Sequence, residues 1–226
     1  MEDSLPPAPG QFTEEEKEKR GYRIKFVLVG DKGVGKTILA NNYEKDDNVL
    51  EPNQTVGKDE RKINCMKNGI KFVIKIIDMS SDIKKFGFLV KDECSNADYV
   101  LLIFDITNRN SFISIKDWIE LCNSSENNKK EFILIGNKND LEKERKVTKE
   151  EADKFANENK MNYHDISALN EEDVIKIYDG AFESYYDINE SKKSFARDLD
   201  LSNSTLFSDR KSIKLMDKKP KDASCC

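Results

Sequence analysis

The sequence is poor in metal-binding side chains. It has a single histidine, His164, and five cysteines. Cys65, Cys94 and Cys122 are scattered singly, Cys225 and Cys226 stand last, and no Cys-x-x-Cys spacing occurs. A zinc site is therefore not expected, and the cysteines do not make a disulfide framework. No run approaches the roughly 20 apolar residues that cross a bilayer. The first residues lack the apolar stretch of a signal peptide, and Glu2 stands where an N-myristoylation signal needs glycine. An intracellular chain with reduced thiols is the expectation. Positive charge is not in excess: the formal net charge is −5, which argues against a general nucleic-acid binder. With 226 residues, 37% hydrophobic and 36% charged, the chain suits one domain carrying heavily solvated ends or faces.

What is present is sharper. Gly30-Asp31-Lys32-Gly33-Val34-Gly35-Lys36-Thr37 fits the G-x-x-x-x-G-K-[ST] phosphate-binding pattern without a mismatch. The apolar run Ile24 to Val29 precedes it, and Ile38-Leu39-Ala40 can open a helix after it. Glycines let a backbone fold around an anion with its N–H groups inward, and a helix N-terminus adds partial positive charge. In that pattern Lys36 reaches the β- and γ-phosphates and the Thr37 hydroxyl ligates Mg²⁺.

Along the chain, residues 1–21 read as an N-terminal tail: a Pro-rich start, then a mixed charge run from Glu14 to Arg20. That run could be a short helix or a partner segment. A first strand spans about Tyr22 to Gly30, and a short helix runs from Lys36 to about Tyr43. Glu44 to Gln54 is polar and irregular. Asp59 to Met66 and Ile70 to Asp78 flank Lys67-Asn68-Gly69, and Asn-Gly between such runs predicts an antiparallel hairpin. Ile83 to Cys94 is expected to be helical, Tyr99 to Phe104 a buried strand, and Ser111 to Cys122 one helix with Trp118 on its apolar face. Glu131 to Gly136 is a short buried strand. Thr148-x-x-Glu151 is a capping box opening a helix to about Asn159. Met161 to Ile166 is strand-like, His164 a half-buried strand residue, and Glu171 to about Ile188 a closing amphipathic helix. Strands alternating with helices predict an α/β fold: a mostly parallel six-stranded sheet with one antiparallel hairpin edge and helices on both faces. Ligands then bind at the carboxyl ends of the strands. Residues 22–188 would form this domain, and 189–226 a flexible tether.

Four further constellations stand in order along the chain. Asn137-Lys138-Asn139-Asp140 follows a buried strand. The Asp140 carboxylate only accepts hydrogen bonds, so it can take two from guanine N1–H and N2, a pair of donors adenine lacks. Asp78 ends an apolar strand, where an aspartate can hold Mg²⁺ directly or through water. Thr55-Val56-Gly57 lies beyond the irregular stretch, and Ser167-Ala168 follows the last strand.

The chain order phosphate loop, Thr55, Asp78, Asn137-Lys138-x-Asp140, Ser167-Ala168 resembles the small GTPases of the Ras superfamily, as does the spacing of 19 residues from Lys36 to Thr55. Phe104-Asp105-Ile106-Thr107, Ser111-Phe112 and Trp118 resemble the corresponding run of Rab proteins. The final Cys225-Cys226 resembles the double-cysteine geranylgeranylation signal of many Rabs. The resemblance implies that the backbone of Asp31, Lys32, Gly33, Val34, Gly35 and Lys36 cradles the phosphates of GTP or GDP. It implies Thr37, Thr55 and Asp78 around Mg²⁺, with Thr55 and the segment after Asp78 as the two switches. Asn137, Lys138 and Asp140 would hold guanine, beside Ser167, Ala168 and Leu169. It also implies geranylgeranyl anchoring through Cys225 and Cys226. That would place a monomer on the cytoplasmic face of an intracellular membrane, with a cytosolic pool. Effectors, an exchange factor, a GTPase-activating protein and prenyl-carrier proteins would be its partners.

The sequence also departs from the pattern. The family's Asp-Thr-Ala-Gly-Gln second switch reads Asp78-Met79-Ser80-Ser81-Asp82. Asp82 replaces the glutamine that orients the attacking water, and a carboxylate cannot donate to a γ-phosphate. Ser81 replaces the glycine whose N–H meets that phosphate. Weak hydrolysis is therefore expected of Lys36, Thr55 and Asp82 as the catalytic set. Lys32, where Rabs usually carry serine, could tighten triphosphate binding or point to solvent. Asn48 stands where an aromatic side chain packs on guanine, which predicts fast exchange. Glu60 and Ile77 replace the aromatic residues of the Rab effector face. A vesicle-traffic switch is the leading reading. A nucleotide-holding scaffold with little turnover, or a Ras- or Rho-type GTPase, are the alternatives, and a P-loop kinase or ATPase is the remote one.

Overall fold

A computed structural model describes residues 22–43, 55–67, 70–123 and 130–189. The expected tails, the irregular stretch with Asn48, the Asn68-Gly69 turn and Cys225-Cys226 lie outside these residues. The chain divides into a unit of residues 1–179, which holds the sheet, and a unit of 180–226. Of the second unit, 180–189 are described, and they are helical.

Six strands form one sheet: β1 (Tyr22–Val29), β2 (Lys58–Lys67), β3 (Ile70–Met79), β4 (Tyr99–Asp105), β5 (Glu131–Asn137) and β6 (Asn162–Asp165). Their order is β2-β3-β1-β4-β5-β6. The β2–β3 pair is antiparallel and the other neighbours are parallel. The mixed sheet is thus the one the Asn-Gly hairpin and the alternating elements predict. The register puts Leu28 beside Asp78 and Phe104 beside Gly136, so the strand ends that carry the motifs lie along one edge.

Period-two side chains of β1 explain why both faces are covered. Val27 and Val29 join a core with Val100, Leu102, Phe104 and Leu134. Onto it pack α2 (Ile83–Ser95), α4 (Ile115–Asn123) and α5 (Lys149–Glu158), through Val90, Trp118 and Ala152. The alternate residue Phe26, also fully buried, meets Tyr178 edge-on at 4.9 Å between ring centroids. Tyr178 belongs to a helix, α6, that begins at 171. The short helix α1 (Lys36–Asn41) follows the phosphate loop.

Two local expectations are corrected. The single helix from Ser111 is broken into α3 (Arg109–Ile113) and α4. At the junction the Asn110 carbonyl is shared, accepting from both the Ser114 N–H at 2.9 Å and the Ser114 hydroxyl at 3.0 Å, a back-bond that bends helices. The capping box at Thr148 forms only in half. Thr148 Oγ1 accepts from the Glu151 N–H at 3.2 Å, but the Glu151 carboxylate turns to Arg109, pairing in bidentate fashion at 2.5 Å. A charged fork outcompetes one backbone donor. A 3₁₀ turn over Asn139–Glu144, which periodicity does not signal, follows β5.

Candidate functional site

The loop between β1 and α1 has its glycines where the backbone requires them. Gly30 (φ 147°) and Gly35 (φ 100°) lie at positive φ. A Cβ at Gly30 would sit 2.2 Å from the Ile103 carbonyl oxygen, and one at Gly35 2.2 Å from Asn137 Nδ2. Both are therefore closed to any side chain. Val34 is buried, while Lys32 and Gly33 are exposed. The Lys36 ammonium is buried and donates to the Gly30 and Asp31 carbonyls at 2.8 and 2.9 Å. Burial lowers its pKa to about 8, against the opposing pull of the Asp78 and Asp31 carboxylates.

The three residues expected around Mg²⁺ converge. Thr37 Oγ1 donates to Asp78 Oδ2 at 2.5 Å, Thr55 Oγ1 donates to the same oxygen at 3.0 Å, and the two hydroxyls lie 3.2 Å apart. The other carboxylate oxygen, Asp78 Oδ1, is buried with no hydrogen-bond partner among the described residues. Burial raises the Asp78 pKa, opposed by the two hydroxyl bonds and by Lys36. Two hydroxyls and a buried, under-satisfied carboxylate are a hard oxygen set, which fits a Mg²⁺ ion that keeps waters and phosphate oxygens as its other ligands.

The second motif locks onto the first. Asn137 Nδ2 donates to the Val34 carbonyl at 2.7 Å, and Asn137 Oδ1 accepts from the Ala168 N–H at 2.7 Å. One buried amide thus ties β5 to the phosphate loop and to the segment after β6. Lys138 adopts the left-handed conformation (φ 70°), and its ammonium pairs with Asp105 Oδ2 at 2.7 Å. Burial would raise the Asp105 pKa, but the bonds from Lys138 and Thr107 outweigh it and hold the carboxyl below its usual range. Asp140 Oδ1 accepts from the Ser167 hydroxyl at 2.5 Å. Leu169 is 69% exposed beside them. His164 is partly buried in β6, where desolvation lowers its pKa.

The segment expected to be the second switch is different. Ser81 is half-buried, and Asp82 is exposed and caps α2, its carboxylate accepting from the Lys85 N–H at 3.2 Å. Ser80 is buried and its N–H donates to the Gly57 carbonyl at 2.9 Å, joining the two switch segments. Glu93, on α2, is a buried carboxylate between Lys25 of β1 (2.7 Å) and Lys58 of β2.

Several site residues escape sequence reading. Trp118, assigned to the core by its helical spacing, is fully buried, yet its indole N–H donates to Asp31 Oδ1 of the phosphate loop at 2.9 Å. The one available signal is chemical: a buried indole N–H needs an acceptor. Asn42 donates to the Ala168 carbonyl at 2.6 Å. Arg145 clamps Asp165 at 2.9 and 3.0 Å, just before the Ser167-Ala168 loop. No short motif announces these long-range partners.

Comparison with known proteins agrees with this arrangement. The family model described as the Ras family matches residues 25–187. The bovine protein named Ras-related protein Rab-13 is 30% identical over 178 residues, which is 79% of this chain and 80% of the relative. The protein of the same name from Mesocricetus auratus is 29% identical over 178 residues, covering the same shares. With its phosphate loop, its converging Thr37, Thr55 and Asp78, and its Asn137-Lys138-x-Asp140 lock, the chain belongs to the Ras superfamily of small GTPases, as a divergent Rab-like member.

Proposed function

We propose that the protein is a guanine-nucleotide switch that holds GTP and GDP and hydrolyses GTP slowly. One observation carries the binding half: Asn137 bonds both the phosphate loop and the Ala168 N–H, so the phosphate and base ends form one hydrogen-bonded unit. Asp140, steadied by Ser167, then presents a carboxylate to the N1–H and N2 donors of guanine. Thr37, Thr55 and Asp78 would hold Mg²⁺, whose charge neutralises the polyphosphate when bound. Lys36 would give its ammonium to the β- and γ-phosphates, drawing it from the loop carbonyls that now hold it.

The slow half rests on the second switch. The Asp82 carboxylate is engaged in capping α2 and has no donor for a γ-phosphate or an attacking water. The remaining machinery positions and neutralises the phosphates but orients the water poorly. The membrane part of the reading rests on Cys225 and Cys226 as geranylgeranyl acceptors, with nearby lysines adding attraction to anionic lipid. It would put the switch on the cytoplasmic face of an intracellular membrane, in vesicle traffic, with the effector, exchange-factor, GTPase-activating and prenyl-carrier partners of such a switch.

The test is to purify the chain, identify bound nucleotide, and follow single-turnover hydrolysis with and without Lys36→Ala. Guanine nucleotide with a slow, Lys36-dependent turnover is expected. Bound adenine nucleotide sinks the reading. Guanine nucleotide with turnover no faster than in Lys36→Ala favours the second reading, a nucleotide-holding scaffold, for which the Asp82 cap is the favouring observation. Intact mass from native cells reads the membrane claim: unmodified Cys225 and Cys226 remove it.

A further inference from the structure

Among the described residues, the nucleotide site leaves one pair of facing thiols unused. Cys94, in the last turn of α2, and Cys122, in the last turn of α4, are both fully buried. Their Sγ atoms lie 2.8 Å apart although the residues are 28 positions apart in sequence. A disulfide needs about 2.05 Å, so the sulfurs are within roughly 1 Å of bonding distance. Each thiol stands on a helix that packs on the same core, beside Val90 and Trp118, so the pairing is a property of the fold rather than of a mobile loop.

We infer that Cys94 and Cys122 are a site of reversible disulfide modification that ties α2, the helix beginning at the second switch, to α4, and that a glutathione-type small disulfide is the oxidant. The chemistry runs in two exchanges. When the end of α2 opens, the Cys94 thiolate attacks one sulfur of glutathione disulfide, forming a mixed disulfide and releasing one glutathione thiolate. The Cys122 thiolate then attacks the Cys94 sulfur, the Cys94–Cys122 bond forms, and the second glutathione leaves. The two protons lost by the protein thiols end on the two glutathione thiols, so the protein pair is oxidised and the small disulfide reduced.

The same burial sets the rate. Neither sulfur is reachable in the closed fold, and the neighbouring Cys94 together with desolvation holds the Cys122 thiol protonated. The pair therefore stays reduced until the helix ends open, and oxidation follows that opening. A bulky mixed disulfide cannot sit in the core, so reclosure drives the second exchange. The inference is independent of which nucleotide the protein binds.

The test uses the full-length protein incubated across a series of reduced-to-oxidised glutathione ratios, in buffer and in urea below the unfolding transition. Samples are acid-quenched, alkylated, weighed intact and mapped as non-reduced peptides. The expected product takes up two fewer alkyl groups than the reduced protein, carries a linked Cys94 and Cys122 peptide pair, and reverts with dithiothreitol. Its melting midpoint should rise by several degrees, as a cross-link of this loop length constrains the unfolded chain. Cys94→Ala and Cys122→Ala should each abolish it, and the peptide map of the unsubstituted chain stands even if either variant folds poorly. Pairing confined to Cys65, Cys225 or Cys226 overturns the inference. So do unresolved glutathione adducts on Cys94 or Cys122, or both thiols still reduced in urea.

Discussion

At the base-binding end, each polar group is committed to a partner from another part of the chain. Asn137 reaches Val34 and Ala168, Lys138 reaches Asp105, and Asp140 is steadied by Ser167. In the expected second switch beyond Asp78 the commitments are local or backbone only: Asp82 caps its own helix, and Ser80 bonds Gly57 through main-chain atoms. The first arrangement is built to hold one geometry. The second gives α2 a sound start but supplies no side chain to steer water. On the proposed reading, holding and splitting the nucleotide rest on different residues.

The strongest way to break the comparison is to remove Asp140. Asp140→Ala should weaken GDP binding by roughly a thousandfold, since two hydrogen bonds to an ionised group are lost at about 1.5–3 kcal/mol each. Equilibrium titration with GDP reads this. A loss under tenfold would mean that the base is held elsewhere. Trp118→Phe comes next. It keeps the ring and deletes the N–H that restrains Asp31, so nucleotide release should quicken by about thirtyfold. Release of a fluorescent GDP measures it, and a change in melting temperature alone would reduce Trp118 to packing.

Asp82→Gln sharpens the other side. Restoring a donor should raise single-turnover hydrolysis by about tenfold. Glutamine is a poor N-cap, so the same variant should melt roughly 2–4 °C lower, at a cost of about 1 kcal/mol. Faster turnover without loss of stability would mean that the cap is not holding α2.

A further effect is in pH. In the nucleotide-free protein burial sets the Lys36 pKa at about 8. Phosphate charge favours the ammonium, so binding takes up a proton when Lys36 starts neutral. Affinity should therefore be flat below pH 8 and fall by up to tenfold per unit above it. Calorimetry in buffers of different ionisation heat counts the proton. An affinity independent of pH from 7 to 9.5 would disprove the coupling.

Much of this was legible in sequence. The mixed sheet followed from the Asn-Gly hairpin and from the buried runs at β3, β4 and β5. Gly30, Gly35, Lys36, Thr37 and Asp78 were nameable because phosphate and cation chemistry demand those residue types in those places, and Thr55 and Asn137 through the resemblance to small GTPases. The break at Ser114 was not legible, because the apolar spacing of Phe112, Ile115 and Trp118 is the same for one helix or two. The half-formed capping box was not legible either, because Glu151 chooses between a near backbone donor and a distant arginine.

The sequence by itself determined the phosphate loop, the guanine motif and the substitutions at Ser81 and Asp82. These are local patterns whose chemistry is carried by residue type and short spacing. The tertiary structure alone decided that Trp118 restrains Asp31, that Asn42 and Arg145 support the base loop, and that Cys94 faces Cys122. Each of these joins groups 20 or more residues apart in sequence. Their partners are fixed by how helices pack on the sheet, and no local pattern encodes that packing.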